Sequence, residues 1–124
     1  MHTIVVLIAH GSRLAEAASA HRAVCARLQQ ELGGIDIEPG FLELTDPDIP
    51  AAIDSAVADG AERVVVLPYF LHPGNHTLRD IPAAVEAARN RHPQITIDQA
   101  AMFGADPAII GALAEQVRTS LGSD

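Results

Sequence analysis

The chain has 124 residues, a net charge of −8 and one cysteine, Cys25. That length builds one domain around one core, and the acidic balance argues against nonspecific binding to nucleic acid, which needs a basic face. All eight basic residues are arginines, so neither a P-loop lysine nor a Schiff-base lysine is available.

No GxxxxGK[ST] or GxGxxG segment occurs, so no nucleotide cofactor is expected. No stretch approaches the roughly 20 apolar residues of a membrane span, and the N-terminal apolar run reads as a short strand, not as a signal peptide. A lone cysteine forms no internal disulfide and fits a reducing compartment. The expectation is a cytoplasmic protein without membrane or nucleic-acid partners.

In chain order, Thr3-Ile4-Val5-Val6-Leu7-Ile8-Ala9 reads as a buried strand that ends in His10-Gly11-Ser12-Arg13. Leu14, Ala17, Ala18, His21, Val24, Cys25, Leu28 and Leu32 follow at helical spacing, and Gly33-Gly34 stops that helix. Residues 35–43 alternate Ile35 and Ile37 with Asp36 and Glu38 and contain Pro39, the pattern of an edge strand. Thr45-Asp46-Pro47-Asp48 starts a second helix with Ile49, Ile53, Ala56 and Val57 on its buried face.

The apolar run from Arg63 to Leu71 is the third strand, and it ends in His72-Pro73-Gly74-Asn75-His76. Thr77-Leu78-Arg79-Asp80 has the form of a capping box, with Thr77 as cap, before a helix carrying Ile81, Val85 and Ala88. Ile95 and Ile97 make a short fourth strand. Asp106-Pro107 opens a last helix whose Ile110, Leu113, Ala114, Val117 and Leu121 are expected to face inward.

Four strand–helix alternations without a linker or repeat predict an α/β three-layer sandwich spanning residues 1–124. Continuous apolar strands one and three belong in the middle and alternating strands two and four at the edges. Right-handed crossovers then favour a parallel sheet of order 2-1-3-4. In that order the chain reverses its winding between strands one and three, and both histidine motifs emerge at the carboxyl edge beside that switch point, where open α/β sheets bind ligands.

His10 fits either a metal ligand or base or a strand-end imidazole satisfying a backbone group. His76 follows a turn-forming Pro-Gly-Asn that can aim it over the sheet edge, and a neutral imidazole suits a helix N-terminus better than a charged one. Its bland alternative is a solvated helix start. His72 lies four residues earlier, but the intervening Pro-Gly rules out a helical i,i+4 metal pair. Glu43 ends strand two at the same edge. With two imidazoles it would form a mixed N/O site suited to borderline divalent metals, and alone it is a solvated strand end.

Arg13 and Arg79 are placed to receive acidic groups of a ligand, with Ser12 and Asn75 adding neutral hydrogen bonds; surface charge is the alternative. Phe41, Leu71, Met102 and Phe103 offer an apolar wall or simply core packing. His21 and Cys25 read as core residues, His92 as a helix-end imidazole, and the absence of CxxC argues against a closed structural zinc site.

His10-Gly11-Ser12-Arg13, Phe41-Leu42-Glu43-Leu44-Thr45-Asp46-Pro47 and Pro68-Tyr69-Phe70-Leu71 through Gly74-Asn75-His76 to Asp80-Ile81-Pro82 resemble the class II tetrapyrrole chelatases. The closest likeness is to the small single-domain sirohydrochlorin cobaltochelatases, the short CbiX type, and their sirohydrochlorin ferrochelatase relatives. The resemblance covers essentially the whole chain.

It implies ATP-independent insertion of a divalent metal, Co²⁺ before Fe²⁺, into sirohydrochlorin on the way to cobalamin or siroheme. It also implies that His10 and His76 carry the chemistry, that Glu43 joins the metal site, and that one copy forms a homodimer where larger relatives hold two such domains. The histidine-rich loop of a nickel-inserting branch is missing, which ranks nickel below cobalt and iron. The rivals are a non-catalytic metal or tetrapyrrole carrier and a phosphohydrolase with a nucleophilic His10. Ala9 stands where histidine phosphatases need an arginine.

Overall fold

The computed structural model describes residues 2–122, without the side chains of His76 and Leu78. The elements run β1 (Thr3–Ala9), α1 (Ala15–Leu32), β2 (Asp36–Phe41), α2 (Ile49–Ala58), β3 (Arg63–Pro68), α3 (Asn75–Arg91), β4 (Thr96–Gln99), a 3-10 turn (Phe103–Ala105) and α4 (Ala108–Leu121). The sheet is parallel throughout, in the order β2-β1-β3-β4, as expected from the strand patterns. Among the described residues no helix is long and apolar enough to cross a membrane.

The pleat of β1 sends alternate side chains to two different cores. Ile4, Val6 and Ile8 join Val64, Val66 and Ile97 against Ile49, Ala52, Ile53 and Ala56 of α2 and Ile81, Val85 and Ala88 of α3. Leu7 points the other way, to Ile37 and to Cys25 of α1. The first core is the larger.

Helix ends follow local chemistry. Gly33 closes α1 in the left-handed conformation, its N–H reaching the carbonyls of Gln29 and Gln30. Asp48 caps α2 by accepting from Ala51 N–H at 3.0 Å, so the Thr45–Asp48 start lies where its residues predict.

Several expectations change. β3 ends at Pro68, three residues short of Leu71, because the chain turns away once Tyr69 N–H has reached the Ile8 carbonyl. α3 begins at Asn75 with Gly74 as its cap. Thr77 is not that cap but sits in the first turn, where its hydroxyl accepts from Gly74 N–H at 2.7 Å. Pro82 lies inside α3 near its start.

The largest correction concerns α4. Ile110, Leu113, Val117 and Leu121 are exposed and Ala114 is only half-buried, so the helix does not face inward. Its apolar spacing is real, but no surface of its own chain comes up to meet it.

Candidate active site at the carboxyl edge

The loop after β1 is held by hydrogen bonds that prolong the sheet. Leu42 N–H donates to the Ala9 carbonyl at 2.9 Å and Glu43 N–H to the His10 carbonyl at 3.1 Å, so the two segments stay side by side beyond the formal strands. Gly11, at φ 101°, makes the turn possible: a Cβ there would overlap the Glu43 carbonyl. This close approach, invisible in the sequence, brings the backbones of His10 and Glu43 together.

Thr45 adds a second tie. Its hydroxyl accepts from Ser12 N–H at 3.1 Å and donates to the Ser12 carbonyl at 2.9 Å, clamping the loops after β1 and β2. Sequence reading placed Thr45 at a helix start and within the segment from Phe41 to Pro47 that carries the resemblance, and gave it no role of its own. The signal for more was its place two residues beyond Glu43. Between Glu43 and Thr45, Leu44 adopts φ 66° and is exposed; an L-residue in that region marks a backbone constrained by its surroundings.

His10 is exposed. Its ring meets Phe70 edge-on, with centroids 5.5 Å apart, so the loop after β3 supports the first motif. His10, Gly11 and Ser12 rim a pocket of about 190 Å³ floored by Phe41, which is buried. Glu43 is exposed at the same edge. The Ser12 hydroxyl accepts from Leu14 N–H at 3.1 Å, leaving its proton to donate, and Arg13 is exposed beside it.

The third loop splits its residues between two places. Leu71 and His72 line a different, apolar groove of about 350 Å³ together with Phe103 and α4. Gly104 lets the 3-10 turn press on that loop, because a Cβ there would overlap the Leu71 carbonyl, and Gly104 N–H donates to the Phe70 carbonyl at 2.8 Å. Met102 lines a pocket of about 220 Å³ with Pro68, Pro73 and Ile81. Asn75 and Arg79 are exposed in the first turns of α3. His76 belongs to the same helix start, and its side chain lies outside the described residues. Among the described residues, no three His, Cys, Asp or Glu side chains are grouped to hold a metal, so His10 and Glu43 do not by themselves form a closed site.

The remaining titratable candidates are structural. His21 is buried and its Nε2 donates to the Leu7 carbonyl at 2.9 Å, while its ring stacks near Tyr69. Burial, with the charge of Glu38, pushes the Cys25 thiol up to about 11, which leaves it protonated and inert near neutrality. His92 reaches Asp54 of α2 at 2.7 Å, so it ties two helices together besides ending α3.

The chain matches the CbiX family model over residues 4–120. It is 31% identical over 113 residues to the sirohydrochlorin ferrochelatase of Priestia megaterium, covering 91% of this chain and 42% of that protein. It is 30% identical over 141 residues to the sirohydrochlorin cobaltochelatase of Methanopyrus kandleri, covering 97% of this chain and 98% of that one. The crystal structure of the sirohydrochlorin chelatase SirB from Bacillus subtilis subspecies spizizenii, in complex with cobalt, superposes with a TM-score of 0.83 at 27% identity, over 94% of this chain and 50% of SirB. The chain therefore spans half or less of some relatives it matches and nearly all of another. These matches establish that the chain belongs to the CbiX family.

Proposed function

We propose that this protein inserts a divalent metal ion, cobalt or iron, into sirohydrochlorin without nucleotide hydrolysis, on a route to cobalamin or siroheme. The observation that carries the reading is the convergence of His10, Glu43 and the His76-bearing start of α3 at the carboxyl edge of one parallel sheet. The names of the relatives supply the substrate class.

Metal is substrate here, so its protein ligands must release it. An incomplete set of an imidazole and a carboxylate on open loops suits that better than a closed tetrahedral site. Insertion replaces the ion's water by four ring nitrogens and frees two pyrrole protons. One of His10 and His76, as a neutral imidazole, would hold the arriving ion, and Glu43 or the other imidazole would accept the protons. Arg13 and Arg79 would meet the acidic side groups of the macrocycle as a local positive rim on an acidic protein, with Ser12, Leu71 and Asn75 completing the contact surface. A second copy of this chain would supply the facing half, since SirB holds about twice this length.

The test is anaerobic absorbance of sirohydrochlorin with Co²⁺ or Fe²⁺ and catalytic amounts of protein. Multiple turnovers, with rates reduced at least ~100-fold in both His10→Ala and His76→Ala, are the expected result. Stoichiometric binding with no acceleration over the spontaneous reaction would overturn the proposal in favour of a carrier.

A further inference from the structure

The ladder between β1 and β2 ends abruptly at the site. Up to Ala9 and Phe41 the two strands pair in register, and Leu42 N–H still reaches the Ala9 carbonyl. The next bond comes from Glu43 N–H to the His10 carbonyl, one residue on instead of two, which breaks the even spacing of a parallel pair. Gly11 then turns at φ 101°, with the Glu43 carbonyl where a Cβ would sit. Among the described residues no backbone hydrogen bond joins the two segments beyond this point.

A side chain takes over. Thr45 Oγ1 accepts from Ser12 N–H at 3.1 Å and donates to the Ser12 carbonyl at 2.9 Å. A hydroxyl has one proton to give and lone pairs to receive, so one atom holds the peptide groups on both sides of Ser12. Ser12 lies two residues beyond His10, and Thr45 two residues beyond Glu43. Both site residues therefore stand just behind the same closure.

The neighbours of Thr45 bear the cost of that closure. Leu44, between Glu43 and Thr45, is held at φ 66°, a region that residues with a Cβ avoid. Its side chain is 59% exposed, so burial does not account for the conformation, whereas the two bonds of the next residue do. On the other segment, Gly11 is the softest joint in the loop because it lacks a Cβ. A clamp directly after it removes the freedom that would let His10 swing from Glu43.

We propose that Thr45 is a positioning residue for metal insertion, its hydroxyl fixing the separation of His10 and Glu43 without itself touching the ion or the macrocycle. The assignment rests on the chelatase reading above and deepens it. A reacting group moved by about 1 Å can cost 100-fold in rate, while binding of a large macrocycle through many other contacts is little changed. The signature of Thr45 is therefore a loss in kcat at nearly constant KM.

The experiment compares Thr45→Val, which keeps the shape and removes the hydroxyl, with Thr45→Ser, which keeps the hydroxyl and removes the methyl. Anaerobic insertion of Co²⁺ into sirohydrochlorin gives kcat and KM, calorimetry gives Co²⁺ affinity of the protein alone, and NMR gives exchange of the Ser12 amide. Thr45→Val is expected to lower kcat roughly 10- to 100-fold, with KM for sirohydrochlorin within about twofold. It should also weaken Co²⁺ binding and speed Ser12 exchange, each about 10-fold. Thr45→Ser should bring every value to within about threefold of wild type.

A Thr45→Val chain with wild-type kcat would overturn the proposal, as would a loss that Thr45→Ser shares or one confined to KM. Where Thr45→Val does not fold, Thr45→Ala replaces it under the same expectations; if neither folds, Thr45 serves stability and the proposal falls. The chelatase reading fails separately. A wild type that binds Co²⁺ and inserts none sinks that reading, and the ratio of Co²⁺ affinities then decides the clamp. A chelatase whose rate ignores Thr45 sinks the clamp alone, and a chain that neither binds nor inserts Co²⁺ sinks both.

Discussion

α3 and α4 look alike in sequence and end in opposite environments. α3 places Ile81, Val85 and Ala88 at helical spacing, and α4 does the same with Ile110, Leu113, Val117 and Leu121. Yet Ile81, Val85 and Ala88 are essentially sealed from water, while the four residues of α4 are all more than half exposed. Periodicity reports that a helix has an apolar side; it does not report what lies opposite. α3 follows a long central strand and returns over a face already shared with α2. α4 follows the four-residue β4 and a 3-10 turn anchored on Phe70 and Leu71, and it leaves the sheet behind.

The sharpest way to break this contrast is to truncate one residue on each helix. Ile81→Ala should lower unfolding free energy by about 2–4 kcal/mol, because the cavity forms in the sealed core. Ile110→Ala, measured at dilutions where the chain is a monomer, should change it by no more than about 0.5 kcal/mol. Urea unfolding of both variants gives the comparison, and equal losses would mean that α4 is packed in the monomer after all.

Two glycines repeat the contrast on a smaller scale. Gly11 has φ 101° and a carbonyl where its Cβ would go, whereas a Cβ on Gly111 in α4 meets nothing. Gly11→Ala should cost about 1–3 kcal/mol and slow metal insertion at least ~10-fold by parting His10 from Glu43. Gly111→Ala should raise the stability of the isolated monomer by about 0.5–1 kcal/mol through helix propensity alone. Thermal unfolding of the pair, with the insertion assay on Gly11→Ala, checks both signs.

The smallest effect is electrostatic. The hydrogen bond from His92, helped by Arg91, holds the Asp54 carboxyl below its ordinary range and ties α3 to α2. The only ion pair that α4 shows among the described residues is its own Glu115–Arg118. A carboxylate with a lowered folded-state pKa contributes stability in full above its unfolded value near 4. That contribution fades as pH falls through the lowered value. Because Asp54 is about half exposed, the loss should not exceed about 1 kcal/mol. Asp54→Asn should flatten the stability profile below pH 4, and an unchanged slope would show that the cluster is fully screened.

Much of the site was legible because it lies at chain positions that topology alone dictates. His10, Glu43 and the residues from His72 to Arg79 each follow a strand, and a parallel sheet delivers all strand ends to one edge. What sequence reading missed were contacts between loops. Gly11 against the Glu43 carbonyl, Thr45 bridging to Ser12, and Gly104 under Leu71 join residues 32 or 33 positions apart. Nothing in local composition encodes which loops will touch. His72 separates from the His10 loop for the same reason: it lies four residues from His76 in the chain, but the turn through Pro73 and Gly74 leaves it on the groove beside α4.

The sequence by itself determined the sheet order, the two edge strands, the buried faces of α2 and α3, and the sheet edge to which His10, Glu43 and the start of α3 are delivered. Each of these follows from periodicity, chirality and turn residues acting over short distances. Only the tertiary structure decided that α4 stays off the core, that β3 keeps one face half bare, and how the loops clasp around His10. An amphipathic helix lowers its free energy on any apolar surface of matching shape. Which surface it finds depends on how the connection before it aims the chain, a property of the assembled sheet and not of the helix.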